Sequence, residues 1–292
     1  MLMNMKDLLK VANKHYFAVP AFNIGTGQIL NGVMDTCEKL KAPVILAIHP
    51  NELHFQGASF IKMCIDRANK SFLPVVIHLD HSDFGPICEA VQAGFTSVMI
   101  DASHLPFEEN MAITKKVCEF AHPLGVSVEG ELGTIGTTEG DTEGGANTIL
   151  YTKPDDAVKF VEETGVDTLA IAIGTSHGLY PAGMQPKLRQ DILSEIKAKL
   201  PDTPLVLHGG SGNKDEEIAE AVKRGINKIN ISSDIKDAFY QRLRITLQDP
   251  KIREPFDLYP DSVAAMNEVV EHKIRLFNDD DKLKYYVLDE ML

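Results

Sequence analysis

The sequence lacks the features that mark several classes of protein. It has no tryptophan, only four cysteines in 292 residues, and no excess of positive charge. No run approaches the roughly 18 consecutive apolar residues that a membrane-spanning helix requires. Acidic residues outnumber basic ones by 42 to 29, which gives a net charge of −13. Nucleic acids and anionic membranes bind clustered lysine and arginine, so this charge balance argues against both as partners.

The cysteines are too few and too scattered for a disulfide framework. Cys37, Cys64, Cys88 and Cys118 contain no C-x-x-C pair, which also argues against a thiolate zinc site. The first ten residues, MLMNMKDLLK, lack the basic start and continuous apolar core of a signal peptide. These absences predict free thiols and a cytoplasmic location.

Short apolar runs alternate with longer amphipathic ones along most of the chain. The predicted strands are residues 17–22, 43–48, 74–79, 97–100, 126–132, 168–173, 204–207 and 228–231. Their near-continuous hydrophobicity is typical of parallel strands that are buried on both faces. The predicted helices that follow them are residues 28–41, 56–69, 85–93, 108–124, 155–164, 188–200, 214–224 and 234–247.

Eight strand–helix units predict an α/β fold, a (β/α)8 TIM barrel formed by residues 1–292 as one domain. An open doubly wound sheet is the alternative, but such sheets have fewer strands and a glycine fingerprint after the first strand, whereas here the glycine-rich turns follow late strands. Residues 133–152 are rich in glycine and threonine, and they predict a long mobile loop after the fifth strand or a solvated insertion. The chain from residue 255 predicts a C-terminal helical extension.

Polar residues gather at the ends of the predicted strands, where barrel enzymes build their active sites. In chain order they are Asp80, His81, Asp101, Glu129, Glu131, His177, His208, Asn230, Ser232 and Ser233. A lone histidine at such a place is more often a structural hydrogen-bonding group. Three histidines with carboxylates between them fit the catalytic Zn²⁺ arrangement, in which three protein ligands leave a position open for substrate.

Two turns near the end of the barrel predict a phosphate site. The sequence HGGSG (residues 208–212) precedes a helix, and glycine amides at a helix start favour an oxyanion. It lies after the seventh strand and NISS (residues 230–233) ends the eighth, which is where barrels usually bind phosphate. An ordinary strand–helix turn is the alternative.

A metal beside a phosphate site suggests a phosphorylated carbonyl substrate, because a divalent cation can polarise a ketone for aldol chemistry or isomerisation. A Schiff-base lysine is the other route to this chemistry. The sixth strand contains no lysine, and Lys228 lies at the start of the eighth strand, away from the predicted site. The residues therefore favour metal catalysis.

Seven segments resemble the class II, metal-dependent ketose-bisphosphate aldolases, the family that includes fructose- and tagatose-bisphosphate aldolases. They are AFNI (21–24), HLDH (78–81), the stretch ending VMIDASH (94–104), VEGELGTIG (128–136), DTLAIAIGTSHGLY (167–180), PLVLHGGSG (204–212) and KINISSD (228–234). They follow the family's order and spacing over most of the chain. The resemblance also implies the barrel fold.

The resemblance implies a role for each matching residue. His81, His177 and His208 resemble the zinc ligands, and Asp101 and Glu131 resemble carboxylates that hold the metal, or a second divalent ion, in another position. Asp80 resembles the acid that handles the proton of the C4 hydroxyl, and Glu139 resembles a loop acid that moves a proton on the dihydroxyacetone phosphate carbon. The residues predicted to bind substrate are Asn23, Gly178, Gly209, Gly210, Ser211, Gly212, Asn230, Ser232 and Ser233. Backbone carbonyls near Gly178 and Gly209 resemble a site for Na⁺ or K⁺.

The expected reaction is reversible cleavage of a ketose 1,6-bisphosphate to dihydroxyacetone phosphate and glyceraldehyde 3-phosphate by a homodimer or homotetramer. The set of metal ligands also suits Co²⁺, Mn²⁺ or Fe²⁺. The turn AIHPNELHF (residues 47–55) departs from the family pattern near the distal phosphate, so cleavage of a ketose 1-phosphate stays open. Ser232 departs from the patterns of both the fructose-type and the tagatose-type members, so the choice between these two bisphosphates also stays open. A metal-dependent hydrolase and a non-catalytic sugar-phosphate-binding protein are the alternatives of other classes. A hydrolase would not need the two turns predicted to bind phosphate. A non-catalytic protein would not need the complete set of acids and metal ligands.

Overall fold

The structure, a computed structural model, describes residues 1–138, 149–180 and 186–288. Its strands are β1 (Val19–Asn23), β2 (Val44–Ile48), β3 (Val75–Ser82), β4 (Ser97–Ile100), β5 (Ser127–Leu132), β6 (Gly136–Thr137), β7 (Thr168–Ile171), β8 (Ser176–His177), β9 (Leu205–Leu207) and β10 (Ile226–Ile231). Its helices are α1 (Met5–His15), α2 (Gly27–Leu40), α3 (Pro50–Gln56), α4 (Ala58–Lys70), α5 (Phe84–Ala93), α6 (Phe107–Ala121), a 3₁₀ turn (His122–Leu124), α7 (Pro154–Thr164), α8 (Gln190–Lys199), α9 (Asp215–Lys223), α10 (Ser233–Thr246), α11 (Pro255–Leu258), α12 (Pro260–Leu276) and α13 (Leu283–Leu288).

Eight parallel strands close into a barrel in the order β1-β10-β9-β7-β5-β4-β3-β2. Pairing of β1 with both β10 and β2 closes the sheet, which confirms the predicted barrel and excludes the open doubly wound alternative. Each predicted strand overlaps one barrel strand. The strands β6 and β8 form a separate two-stranded parallel sheet that the sequence did not predict, because two residues are too short for a hydrophobic pattern.

The barrel interior is closed at the amino ends of its strands by α1, a helix that was not predicted. Met5, Leu8 and Leu9 of α1 are fully buried against inward-facing apolar side chains of β1, β2 and β3. The backbone of Lys6 also donates to Ser127 Oγ at the start of β5. One end of the interior is therefore filled with apolar side chains, and polar groups gather at the other.

The helices pack around the outside of the barrel over a second, larger apolar layer. The C-terminal extension contributes α12, which packs against α10 and α2 and buries Met266, Val270 and Ile274. After it, Tyr286 Oη donates to Leu8 O and fixes the extension to α1. Among the described helices, none is both long and apolar enough to cross a membrane.

Candidate metal centre and active site

Asp80 and His81 lie at an irregular point of β3. The β3–β4 register shifts between Leu79 and Ser82, and His81 has a φ of +37°. Consecutive residues of a regular strand point to opposite faces, and a bulge changes that direction locally. A left-handed conformation is uncommon for residues other than glycine and concentrates at functional sites. The local backbone thus brings two adjacent polar side chains to one site.

The three predicted histidines lie together although they come from β3, β8 and the end of β9. The ring centroid of His81 lies 4.7 Å from that of His177 and 4.6 Å from that of His208. One ring nitrogen of each lies within 4.8 Å of the others. His81, Asp101 and Glu131 form a second group in which one ligand atom of each residue lies within 4.8 Å of the others. Two overlapping sets of ligating atoms therefore occupy one end of the barrel.

The hydrogen bonds of these rings fit a divalent cation. His81 Nδ1 lies 3.0 Å from Asp101 Oδ2, and its Nε2 is buried with no hydrogen-bond partner among the described residues. His208 Nε2 lies 2.7 Å from Glu129 Oε1, and its Nδ1 likewise lacks a hydrogen bond within the described ranges. An imidazole held by a carboxylate at one nitrogen, with the other directed at neighbouring ligands, is typical of metal-binding histidines.

Charge at the site favours a cation. Burial acts to lower the pKa of His81, but Asp80, Asp101 and Glu131 outweigh it and raise that pKa to about 10. Burial and the neighbouring Asp101 raise the pKa of Glu131. The field that favours a proton on His81 favours equally a divalent cation in its place.

Asp80 is fully buried and held at both oxygens. Asn230 Nδ2 donates to its Oδ1 and Asn23 Nδ2 to its Oδ2, each over 2.9 Å. Burial acts to raise the pKa of Asp80, but the charges of His81 and Lys228 hold it well below its ordinary value. The structure therefore presents an oriented, ionised carboxylate next to a candidate metal ligand. Asn23 and Asn230, predicted to contact substrate, direct their amide nitrogens at this carboxylate.

The glycine-rich turn after β9 is fastened to its neighbours by its own amides. Gly210 N donates to Asn230 O over 3.1 Å, and Gly212 N donates to Asp234 Oδ1 over 3.2 Å. Asp234 N in turn donates to Ser211 Oγ, and the Asp234 carboxylate pairs with Lys273 at 2.7 Å. Two of the amides predicted to meet a phosphate thus already have partners within the protein.

Close backbone packing brings the turn after β9 onto β8. Gly209 has a φ of +63°, and a Cβ there would overlap the carbonyl of Ser176, the residue before His177. Gly178 also has a left-handed backbone, with a φ of +87°. The carbonyl of Gly209, one of those predicted to bind Na⁺ or K⁺, accepts a 2.7 Å hydrogen bond from Asn213 Nδ2.

The site opens into a cleft of about 270 Å³ beside the metal-ligand groups. Its lining residues are His81, Asp101, Ser103, His104, Glu131, Thr134, Ile135 and His177. Ser103 donates from its hydroxyl and its amide to Asp101 Oδ1, which fixes that carboxylate at the rim. Glu139 lies outside the described residues, so the structure does not place it.

The sequence patterns predicted no role for Glu129, and they predicted that Lys228 lies away from the site. Both side chains are fully buried, and Lys228 Nζ lies 3.0 and 2.8 Å from the two Glu129 oxygens. Lys228 lies early in β10, as expected, but its long side chain runs through the interior to a carboxylate that contacts His208. Two features of the sequence could have revealed this pair. Lys228 is a charged residue inside an apolar strand, and Glu129 and Glu131 occupy alternate positions of β5 and so lie on the same face.

Comparisons with known proteins agree on one family. Residues 3–282 match the family model described as fructose-bisphosphate aldolase class-II. The chain is 40% identical over 278 residues to the D-tagatose-1,6-bisphosphate aldolase subunit GatY of Klebsiella oxytoca, covering 94% of this chain and 97% of that protein.

Solved structures agree with this match. The crystal structure of the YdjI aldolase from Escherichia coli K12 is similar with a TM-score of 0.83 and 34% identity, over 97% of this chain and all of that one. A putative fructose-1,6-bisphosphate aldolase from Coccidioides immitis matches with a TM-score of 0.87 and 25% identity, over 97% of this chain and 98% of that one.

Proposed function

Since this chain belongs to the class-II fructose-bisphosphate aldolase family, we propose that it cleaves a ketose 1,6-bisphosphate reversibly to dihydroxyacetone phosphate and glyceraldehyde 3-phosphate. Its family makes this chain an aldolase, while its substrate and the residues that act in the reaction are proposed. The observation that carries it is the convergence of His81, His177 and His208 beside the buried, ionised Asp80.

The three histidines would hold one divalent cation, Zn²⁺, since three imidazoles suit a catalytic zinc site with an open position. When bound, the cation supplies Lewis acidity for polarising the substrate carbonyl. Asp101 and Glu131 border the same site and offer a second divalent cation an alternative set of ligands with His81. The donor set also suits Co²⁺, Mn²⁺ or Fe²⁺.

Asp80 would accept the proton of the C4 hydroxyl as the C3–C4 bond breaks. A general base must lie within hydrogen-bonding distance of its proton and be ionised at working pH. The amides of Asn23 and Asn230 hold both carboxylate oxygens and so restrict their rotation. Glu139 is proposed, from the family resemblance alone, to protonate the dihydroxyacetone phosphate carbon.

The phosphate of dihydroxyacetone phosphate would bind at the turns after β8, β9 and β10. Gly178, Gly209, Ser211, Ser232 and Ser233 belong to this cradle, and Ser233 opens α10, where backbone amides lack helical partners. Gly210 and Gly212 would support the cradle through the amide bonds that fasten the turn. A monovalent cation, Na⁺ or K⁺, near the carbonyls of Gly178 and Gly209 would balance the phosphate charge.

The second candidate substrate is a ketose 1-phosphate, and one ion pair favours it. Glu52 belongs to α3, the helix that follows β2, and its side chain packs over Gly25, just after β1. There the Glu52 carboxylate pairs with Lys236 at 3.1 Å. A carboxylate at this rim, with the neighbouring lysine already paired, is a poor receptor for a second phosphate. The 40% identity to a tagatose-bisphosphate aldolase subunit supports a tagatose-type bisphosphate instead.

Three wider properties complete the proposal. We expect one barrel domain over residues 1–292, since the family model spans nearly all of the chain. We expect a homodimer or homotetramer from the family resemblance. The four free cysteines support action in the cytoplasm, where thiols stay reduced.

The test measures dihydroxyacetone phosphate release by zinc-loaded protein from tagatose 1,6-bisphosphate, fructose 1,6-bisphosphate and fructose 1-phosphate, each with and without a chelator. Release that a chelator abolishes and added Zn²⁺ restores is the expected result, with tagatose 1,6-bisphosphate the best substrate. Release only from the 1-phosphate would select the second candidate. Release that survives complete metal removal, or none from any sugar, would overturn the proposed function.

A further inference from the structure

We propose that Glu129 and Lys228 are positioning residues that hold the His208 ring so that Nδ1, rather than Nε2, is its metal-ligating nitrogen. The inference rests on the proposed metal site, and it assigns a function to a fully buried ion pair of the barrel interior that the proposed reaction does not use.

The geometry of Glu129 leaves the His208 ring little freedom. Glu129 Oε1 lies 2.7 Å from His208 Nε2, while Lys228 Nζ contacts both Glu129 oxygens at 3.0 and 2.8 Å. All three side chains are at most 1% exposed. Rotation of the ring would therefore break a buried hydrogen bond that no solvent could replace.

The chemistry of the carboxylate decides which nitrogen carries the proton. An ionised carboxylate only accepts hydrogen bonds, so the nitrogen that faces it must be the N–H donor. Lys228 Nζ donates to both Glu129 oxygens, at 3.0 and 2.8 Å, and an ammonium shared between both oxygens is the arrangement of an ionised carboxylate. A neutral imidazole protonated at Nε2 carries its lone pair on Nδ1.

The other nitrogen faces the proposed metal site. His208 Nδ1 lies 3.3 Å from Glu131 Oε2 without forming a hydrogen bond, and Glu131 itself belongs to the second ligand group. Asp101 holds His81 in the opposite sense, through Nδ1, which leaves Nε2 of that ring for the metal. The structure thus assigns Nε2 of His81 and Nδ1 of His208 as ligating atoms.

Lys228 balances the charge of Glu129 and fixes the plane of its carboxylate. Another nearby group, His78, lies 3.7 Å from Glu129 Oε2. Burial and the charge of Lys228 lower the pKa of His78 to about 3, so this ring is neutral and cannot neutralise the carboxylate. Without Lys228, Glu129 would be a buried carboxylate whose close neighbours are two imidazoles.

Two double variants with the same net charge separate positioning from simple stabilisation. Glu129→Gln/Lys228→Met keeps an oxygen that can accept from His208 Nε2–H, whereas Glu129→Leu/Lys228→Met keeps none. Zn²⁺ affinity is measured by competition with a chromophoric chelator, and the visible spectrum of the Co²⁺-loaded protein reports ligand geometry. Loss of a partner that orients a ligand typically costs about 10- to 100-fold in metal affinity.

We expect the leucine variant to bind Zn²⁺ about 10- to 100-fold more weakly than the glutamine variant and to show an altered Co²⁺ spectrum. We expect the two metal-free variants to melt at similar temperatures. Equal Zn²⁺ affinity in the two variants would overturn the positioning role. The readout is metal binding, so this inference can fail while aldolase activity stands, and it can hold if none of the tested sugars is cleaved.

A measurement on the unmodified chain covers the case in which a variant does not fold. Histidine labelled with ¹⁵N in the zinc-loaded protein reports which ring nitrogen carries hydrogen, and His208→Asn assigns the signal. Nε2–H with Zn²⁺-shifted Nδ1 is expected for His208. Nδ1–H, with Nε2 on the metal, would overturn the proposal.

Discussion

At the scale of single residues, the Asp80 carboxylate is held in one orientation by two asparagine side chains that could themselves rotate. Its oxygens accept hydrogen bonds from Asn23 and Asn230, whose own side-chain oxygens have no hydrogen-bond partner in the described part of the chain. If one carboxylate oxygen became an amide nitrogen, the facing asparagine amide could rotate and present its oxygen. The pocket can therefore accept Asp80→Asn while losing the proposed base.

Asp80→Asn should lower turnover by about 100-fold or more, the usual contribution of a general base. The melting temperature should stay close to that of the unmodified chain, because the hydrogen bonds re-form. Turnover is compared at saturating Zn²⁺, because loss of the Asp80 charge weakens the field that favours a cation beside His81. Turnover is measured by coupled detection of dihydroxyacetone phosphate. Asp66→Asn, in the exposed Asp66–Lys70 pair, is the control and should leave turnover unchanged. Turnover within tenfold of normal in a metal-loaded Asp80→Asn protein would rule out Asp80 as the base.

At the scale of elements, the turn after β9 shows how backbone contacts position the histidines. Gly209 packs directly on Ser176 of β8, and Thr138 N and Oγ1 donate to the carbonyl of His177 on the same strand. The small β6–β8 sheet thus holds His177 at the place where the turn delivers His208. A side chain at position 209 would separate these two elements.

Gly209→Ala should destabilise the fold by about 2–5 kcal/mol, since a left-handed alanine costs about 1–2 kcal/mol and overpacking about 1–3 more. Gly165→Ala is the matched control, because Gly165 is also left-handed but faces open space. That variant should lose only the conformational part. Unfolding in urea measures both losses, and equal values would contradict close packing against β8.

The elements that sequence patterns predicted are those whose burial repeats along the chain. The eight barrel strands and the longer helices between them carry apolar runs or apolar faces, so periodicity revealed them. The turn predicted at residues 47–55 was wrong in part, because α3 forms there; it buries no side chain and so carries no apolar face. The helix α1 was missed, although Leu8 and Leu9 are fully buried, because it has no preceding strand and so stands outside the strand–helix alternation. The sheet formed by β6 and β8 depends on pairing between segments about 40 residues apart, which no local pattern encodes.

The candidate site divides in the same way. Strand-end position was enough to predict that His81, His177 and His208 meet, since all barrel strands end on one side. The Lys228 side chain reaches Glu129 across the barrel interior, and the irregular backbone at His81 arises from a register shift between β3 and β4. Neither follows from residue order, which is why the partners of Glu129 emerged only in three dimensions.

At the scale of the whole molecule, the C-terminal extension buries a carboxylic acid that is poorly placed for ionisation. Asp279 follows α12 and is fully buried, and neither of its side-chain oxygens has a hydrogen-bond partner among the described residues. Burial raises the pKa of Asp279 well above 3.8, although the charge of Lys282 opposes this shift. Its surroundings include Cys37 of α2 and Tyr286 of α13, whose pKa values it helps to raise. Ionisation of Asp279 therefore acts where the extension joins the barrel.

The sign of the resulting pH dependence follows from linkage. The folded state binds the Asp279 proton more tightly than the unfolded state, so the contribution of this group to stability falls as the pH rises above 3.8 towards the raised folded value. Asp279→Asn removes the ionisation and should raise the free energy of unfolding at neutral pH by about 1.4 kcal/mol for each pH unit between 3.8 and the raised folded value. Its advantage should shrink as the pH approaches 3.8, where other carboxylates affect both proteins alike.

Melting temperatures of both proteins over a pH series measure this difference directly. Asp280→Asn is the control, because the neighbouring Asp280 side chain is 41% exposed and lies 3.9 Å from Arg275, so its replacement should change stability little at any pH. If Asp279→Asn instead melts lower at neutral pH, the charged carboxylate stabilises the junction, and its ionisation would then strengthen the attachment of the extension to the barrel. A pH-independent difference would mean that the effect of the amide is one of packing and that the acid stays protonated over the whole range.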